Sequence, residues 1–139
     1  MLIRLVILAA LFGFLFGFDE GVIAGALPLI TSTFEISASG EGLVTASVPL
    51  GAVGGAILAA LWADSLGRRK VLIMCSVLFG IGAIASGLAQ EEIALILARL
   101  LLGIAIGASA LAAPMFLAEL APARHRGAIV SAFQLMITI

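Results

Sequence analysis

Charged residues are scarce in this sequence. They make up 11% of its 139 residues, whereas 63% of the residues are hydrophobic. An ordinary water-soluble domain has roughly 25% charged and 45–50% apolar residues, so a chain of this length could not hide so much apolar surface from water. The net charge of −1 also argues against a nucleic-acid partner, because binding nucleic acid requires a basic surface.

Cysteine is almost absent as well. Cys75 has no second cysteine to pair with, which excludes an internal disulfide and any cysteine-based metal cluster. It lies in an apolar run, where we expect a small packed core residue. The sequence also lacks a paired catalytic nucleophile and base, a phosphate-binding loop and a metal cluster. We therefore predict no enzyme, no cofactor and no bound metal.

Long apolar runs dominate the sequence. A membrane-spanning helix needs about 20 mostly apolar residues, and four segments reach that length before a shorter fifth. Their approximate bounds are 2–30, 43–63, 71–89, 93–120 and 127–139. The fifth is too short to span and has no cap or turn residue at its end, so we expect a fragment cut inside a helix. The predicted fold class is an all-α membrane protein.

The basic residues between these segments sort to one side of the membrane. Six of the seven share one face, and the opposite face has none: Arg4, Arg68, Arg69, Lys70, Arg124 and Arg126. Because cytoplasmic loops carry an excess of Lys and Arg, we predict a cytoplasmic amino terminus. The expected surroundings are the lipid bilayer of the cell membrane, inner or plasma, which the chain crosses several times.

Small residues recur at four-residue spacing along three of the segments. They are Gly13, Gly17, Gly21 and Gly25, then Gly51, Gly55, Ala59 and Ala63, and finally Gly103 and Gly107. Such stripes let helix backbones approach closely in lipid. This spacing suits static packing between helices and also a sliding surface in a moving transporter. The spacing alone therefore does not distinguish the two interpretations.

Three ionisable residues lie within the apolar segments, namely Asp19, Glu20 and Arg99. Buried charges are costly in a membrane and usually pair with one another or line a pathway. At about 1.5 Å per residue, Asp19 and Arg99 both lie roughly 10 Å from the same edge of a ~30 Å core. Their helices run in opposite directions, so a buried Asp19–Arg99 pair is predicted. The alternative is that one of them snorkels or faces a water-filled cavity unpaired.

Two basic connections complete the pattern. Residues 64–70 read D-S-L-G-R-R-K, in which Gly67 permits a tight reversal. By composition alone this is a solvated loop that sets topology. The second connection holds Arg124 and Arg126 and follows Glu119. Acids and bases on both connections are sufficient for an ion-pair latch on the cytoplasmic side.

Four stretches resemble, in order, motifs of the major facilitator superfamily and its sugar porters. Residues 64–70 match the superfamily loop D-x-x-G-R-[RK], and residues 13–19 resemble the sugar-porter first helix, G-x-x-x-G-Y-D. Residues 99–127 resemble R-x-x-x-G-x-x-x-G…P-x-[YF]-x-x-E…R-G, and residues 133–138 resemble the fifth-helix stretch Q-x-x-I-T. The matches are collinear and cover nearly the whole chain, which is therefore identified as a member of the sugar porter family.

The resemblance implies a twelve-helix fold of two bundles that works by alternating access. Residues 1–139 would be a partial amino-terminal six-helix bundle, without the carboxy-terminal bundle. The implied function is proton-driven uptake of a monosaccharide or polyol, with the sugar, the proton and the missing bundle as partners. Asp19 is then the proton-coupling carboxylate, Arg99 its partner, and Gln134 a sugar-binding amide. Gln134 could instead form an interhelical hydrogen bond alone.

The resemblance also assigns a set of residues to the cytoplasmic latch: Asp64, Gly67, Arg68, Arg69, Glu119, Arg124 and Arg126. Two positions depart from the family pattern. Phe18 stands where Tyr is usual, which removes a hydroxyl near the carboxylate. Glu20 stands where Thr is common and lies about 100° round the helix from Asp19. It could face the outer vestibule or share protons with its neighbour.

Three other functions are alternatives to this interpretation. The first is a related facilitator that moves a drug or an organic acid, and the second is a sugar receptor that does not transport. The third is a complete four-helix multidrug exporter that works as a dimer. The apolar run up to Ile139 argues against the third.

The charge distribution predicts a topology that reporter fusions can check. Side-specific reporters fused at Gly67 and at Ser39 should give signals from opposite sides of the membrane, with Gly67 in the cytoplasm, because the cations cluster beside Gly67. Signals from the same side would overturn the number of spanning helices.

Overall fold

Every regular element in the described part of the chain is a helix. The computed structural model describes residues 2–34 and 36–138, except for the side chains of residues 2–6, 8–10, 12, 34, 63 and 64. The helices are α1 (Leu2–Phe34), α2 (Ala38–Leu66), α3 (Arg68–Leu88), α4 (Glu92–Leu120) and α5 (Arg126–Thr138). The first four are long and apolar enough to cross a membrane, which confirms the predicted fold class.

Large apolar side chains cover the outer surface of these helices. Leu29, Leu88 and Ile93 are 70%, 74% and 69% exposed. In water this surface would be unfavourable, at about 25 cal/mol for each Å² of apolar area. In a bilayer it faces hydrocarbon, while the helical backbone satisfies its own hydrogen bonds. The surface therefore fits the membrane environment that the composition predicts.

The stretch between the first two predicted spans, residues 31–42, is helical at both ends. Ser37 caps α2, since its hydroxyl accepts a hydrogen bond from the Gly40 backbone N–H at 3.3 Å. The Thr31 hydroxyl donates to the Leu27 carbonyl oxygen at 2.8 Å. Serine and threonine make such local bonds to the backbone, so these polar residues are absorbed into caps and end turns. The predicted helix bounds were therefore too short here.

Gly67 alone connects α2 to α3. Its φ of 82° lies in a region that residues with a side chain rarely adopt, and the chain reverses there within one residue. The three cations predicted in a loop, Arg68, Arg69 and Lys70, therefore form the first turn of α3. Positive charge is unfavourable at a helix amino terminus. Glu119 on α4 pairs with Arg68 and offsets part of this cost.

Helices α2 and α4 pack with their backbones in contact. Gly51 and Gly55 on α2 face Gly103 and Gly107 on α4 and the backbone around them. A methyl group built on Gly55 would lie 2.8 Å from Ile104 Cα, closer than such atoms approach without displacement. Lipid supplies no hydrophobic drive between helices, so close van der Waals packing of this kind holds them together. These glycines thus serve close packing.

Helix α1 places only part of its glycine stripe against protein. Gly13 and Gly17 lie against α5, where a methyl group on Gly17 would lie 2.7 Å from the Ile137 carbonyl oxygen. Within the described chain, such a group on Gly21 or Gly25 would have no neighbour within 4 Å. The stripe therefore packs along one half of the helix and leaves the other half uncovered by these residues.

Two buried clusters hold the bundle together. The larger one joins α2, α3, α4 and α5 near the Gly67 turn, and its members include Ala59, Val71, Cys75, Ala112, Leu117, Ile129 and Phe133. The smaller one lies toward the opposite end and consists of Ile23, Ile36, Val44 and Leu95. Cys75 is buried with a free thiol, as the sequence predicts. The end that holds the Gly67 turn is called the Gly67 end below.

Replacing Gly55 with alanine should weaken the packing of α2 on α4. Overpacking of this kind typically costs about 1–3 kcal/mol of unfolding free energy. The matched control is Gly54→Ala, since a methyl group on Gly54 has open space around it. Alanine is a better helix former than glycine by about 1 kcal/mol, so the control should be neutral or stabilising. Unfolding followed by circular dichroism in detergent measures both, and equal effects would contradict the packing.

Candidate functional site

The two buried ionisable residues predicted to pair do lie beside each other. Arg99 Nη2 on α4 lies 3.9 Å from Asp19 Oδ2 on α1, and the two side chains are 5% and 14% exposed. This distance makes an ion pair but is too long for a hydrogen bond. Asp19 Oδ2 accordingly has no hydrogen-bond partner among the described residues. The pair therefore joins α1 to α4 through charge alone.

The guanidinium of Arg99 is also bonded to α2. Its Nε donates a hydrogen bond to the Val44 carbonyl oxygen at 3.2 Å. The same oxygen accepts a hydrogen bond from the Ser47 hydroxyl at 2.7 Å. Ser47 and Arg99 are 2% and 4% exposed, and they are the buried polar residues of the described chain. One backbone oxygen of α2 thus binds two buried side chains.

Sequence reasoning found Asp19 and Arg99 but missed Val44 and Ser47. Val44 acts through its carbonyl group, which every residue has, so no sequence signal marks it. A weak signal for Ser47 existed, because it is a hydroxyl inside an apolar run one turn before the Gly51–Gly55 stripe. Serine inside a helix commonly bonds to its own backbone, which gave no reason to single it out.

The Asp19 carboxyl group can bind a proton, and its charge determines its attraction to Arg99. Burial disfavours the charged form of a carboxylic acid, and a neighbouring arginine favours it. These effects oppose each other at Asp19, so a proton bound there would change the attraction between α1 and α4. Within the described residues, no cluster of three or more His, Cys, Asp or Glu could hold a metal ion.

The two departures from the family motif lie away from the pair. Glu20 is exposed, whereas its neighbour Asp19 is mostly covered by protein. Phe18 is 58% exposed, and its ring stacks on that of Phe14 with centroids 5.8 Å apart. The hydroxyl that Phe18 lacks would therefore have stood on the open face of α1.

One ion pair of the predicted latch is formed. Arg68 Nη1, in the first turn of α3, pairs with Glu119 Oε1 near the end of α4. Their side chains are 25% and 51% exposed, and exposed pairs usually contribute about 0–1 kcal/mol. Arg68 Nε is buried without a hydrogen-bond partner among the described residues. The pair therefore joins α3 to α4 at the Gly67 end with a modest contribution to stability.

Three other basic residues of the predicted latch have no acidic partner among the side chains that the structure describes. Arg69, Arg124 and Arg126 are exposed at the Gly67 end, and within the described chain no ion pair involves them. The side chain of Asp64 lies outside the described residues. Among the described side chains, the Gly67 end thus presents exposed cations beside the Arg68–Glu119 pair.

Gln134 lies on the open side of α5. It is exposed, whereas the preceding residue, Phe133, is 6% exposed and belongs to the larger buried cluster. The Phe133 carbonyl faces Gly13 of α1, so α5 packs on α1 through a different face from the one that carries Gln134. The amide is consequently presented outward from the five helices.

Known transporters are similar to this chain over nearly its full length. The family model "Sugar (and other) transporter" matches residues 5–139. The chain is 46% identical over 132 residues to a galactose-proton symporter of Escherichia coli strain K12, covering 95% of this chain and 28% of that protein. It is 42% identical over 128 residues to a D-xylose transporter of Levilactobacillus brevis, covering 92% of this chain and 28% of that protein.

A solved structure with the same helix arrangement is the inward open conformation of the xylose transporter XylE from E. coli. The two superpose with a TM-score of 0.88 at 30% sequence identity, over 99% of this chain and 37% of that one. The chain therefore spans about a third of the solved transporter's length, and 28% of the length of each of the two relatives above.

Proposed function

This chain belongs to the sugar (and other) transporter family, and on that basis we propose that it is the amino-terminal part of a proton-coupled transporter of a monosaccharide or polyol. The family match covers residues 5–139 and confirms the resemblance that the motifs predict. The observation that supports proton coupling most directly is the buried Asp19–Arg99 pair, with its 3.9 Å separation. The relatives it matches are transporters rather than enzymes.

Asp19 is the proposed proton-binding group, and Arg99 is its partner. A proton on the carboxyl group removes its charge and with it the attraction to the guanidinium. Because Asp19 is on α1 and Arg99 is on α4, the loss of this attraction loosens one helix from the other. Proton binding is then coupled to the movement of α1, which alternating access requires of a helix beside the transport path.

Gln134 is the proposed sugar ligand of this half of the protein. An amide side chain both donates and accepts hydrogen bonds, which suits a sugar hydroxyl. Substrate sites in such folds lie between two bundles near the membrane midplane, and the exposed position of Gln134 leaves its amide open to such a site. The second bundle is the proposed partner, and residues 1–139 by themselves are not expected to transport.

The Gly67 end is proposed to face the cytoplasm of a cell-membrane protein. Exposed cations gather there on α3 and at the start of α5, as the positive-inside rule requires. The Arg68–Glu119 pair is the formed part of the proposed cytoplasmic latch. Its remaining members are Asp64, Gly67, Arg69, Arg124 and Arg126.

Asp19→Asn should uncouple transport from protons in the whole protein. Asparagine keeps the shape and the hydrogen-bonding capacity of aspartate but cannot take up the proton, so proton-driven accumulation of sugar should vanish while downhill exchange survives. Accumulation and exchange of labelled sugar in vesicles measure the two activities. The matched control is Glu20→Gln, which removes the adjacent, exposed acid and should leave accumulation intact.

The outcomes of this experiment separate the alternatives. Loss of both activities in Asp19→Asn would identify a permanent structural pair in place of a coupling group. Accumulation that survives in Asp19→Asn but is lost in Glu20→Gln would transfer the coupling role to Glu20.

Gln134→Ala should weaken sugar binding in the whole protein without reducing its expression. A sugar hydroxyl left without its partner costs about 1–3 kcal/mol, which corresponds to a loss of affinity of roughly 5- to 150-fold. Equilibrium binding of labelled sugar measures the change. Leu135→Ala, at an exposed position on another face of α5, is the control. Unchanged affinity in Gln134→Ala would assign Gln134 to helix packing.

A further inference from the structure

Arg99 is held unequally by its two neighbours. Its Nε donates to the Val44 carbonyl oxygen of α2 at a hydrogen-bond distance of 3.2 Å, whereas its Nη2 lies 3.9 Å from Asp19 Oδ2. A hydrogen bond fixes direction as well as distance, and a long ion pair fixes neither. The orientation of the guanidinium is therefore set mainly by α2.

The helices that carry these groups belong to two differently packed pairs. Helices α2 and α4 share the most extensive contact in the described chain, while α1 packs mainly on α5 and touches α2 and α4 sparsely. Glycine backbones meet across both pairs, at Gly55 for the first and at Gly17 for the second. The Asp19–Arg99 contact thus crosses the boundary between two closely packed units.

Ser47 is placed to turn the Val44 carbonyl toward Arg99. A helical carbonyl oxygen normally accepts from the N–H four residues ahead and points along the helix axis. A serine hydroxyl that bonds back to such an oxygen often bends the helix, and a bend of this kind tilts the carbonyl outward. The Ser47 hydroxyl donates to the Val44 oxygen at 2.7 Å, on the side of α2 where Arg99 reaches it.

We propose that Ser47 is a positioning residue for proton coupling, which holds Arg99 on α2 through the Val44 carbonyl oxygen and keeps the guanidinium from closing on Asp19. Proton uptake then releases α1, while Arg99 stays with α2 and α4. This inference rests on the proposed function, because a positioning role for Ser47 presupposes that Asp19 exchanges a proton.

Few other charged groups surround the pair. Arg99 is the charged residue that faces Asp19 from α4, and Glu20 follows Asp19 on α1 but is exposed. On α2, Glu41 lies one helical turn before Thr45, and both residues line the same open groove on the outer surface. The described part of α5 carries a single charged residue, Arg126, at the far Gly67 end. Among the described residues, Arg99 is therefore the charged group that opposes the effect of burial on Asp19.

The test is the pH dependence of proton-driven sugar uptake by the Ser47→Ala variant of the whole protein. Without the hydroxyl, the Val44 oxygen returns toward the helix axis and Arg99 is free to approach Asp19. A closer arginine stabilises the charged carboxylate, so the pH of half-maximal uptake should move to the acid side by about one unit. Downhill exchange at saturating sugar should be unchanged, since the transport path is intact.

The control is Ser109→Ala. Ser109 bonds back to the Ile106 carbonyl oxygen at 2.9 Å with the same three-residue spacing, and this oxygen has no arginine donor among the described hydrogen bonds. The pH profile of sugar uptake by the Ser109→Ala variant should match that of the unmodified protein. Ser47→Cys keeps a side chain of similar size with a much weaker donor, and it should reproduce the acid shift if Ser47→Ala fails to fold.

The results separate this inference from the function on which it rests. An unchanged pH profile in both Ser47 variants, with proton-driven uptake intact, would overturn the positioning role and leave the proposed function standing. Absence of proton-driven sugar uptake in the unmodified protein would overturn both. An equal shift of the pH of half-maximal uptake in Ser109→Ala would also overturn the positioning role of Ser47, because the effect would then belong to helix hydroxyls in general.

Discussion

Backbone contact between α2 and α4 is the constraint on which the rest of the structure depends. Gly55 and Gly107 allow the two helices to approach until their main chains touch, in a solvent where lipid gives no hydrophobic reason for helices to associate. At that separation the Arg99 side chain reaches the Val44 carbonyl oxygen. A bulkier interface would move the oxygen out of reach and leave a buried cation with one distant partner.

The same contact explains how a charge can be tolerated at this depth. An unpaired charge in the hydrocarbon region is costly, and intramembrane charges are found paired with one another or with backbone carbonyls. Arg99 uses both solutions at once, with Asp19 on α1 and the Val44 carbonyl on α2. In the proposed coupling, the carbonyl bond stays when Asp19 takes up a proton, so Arg99 keeps a partner. This property suits the pair to the coupling role proposed for it.

Much of the architecture could be predicted from the sequence, because a bilayer restricts the length of spanning helices and the placement of charged residues. Apolar runs of spanning length predicted α1 to α4, and the depths of Asp19 and Arg99 predicted their meeting. Helix ends were predicted less well, because Ser37 and Thr31 bond locally to the backbone and extend the helices into a polar stretch. The cations predicted in a loop lie in α3, since the reversal needs only Gly67 with its positive φ.

The sequence by itself determined the all-helical class, the family, and the identity of the buried acid and base. All three depend on residue type and spacing, which a linear pattern records. Only the tertiary structure decided that Arg99 is bonded to α2 as well, that Ser47 shares the Val44 oxygen, and that Arg68 pairs with Glu119. These contacts depend on which faces of separate helices meet and on carbonyl groups common to every residue, so no sequence pattern distinguishes them.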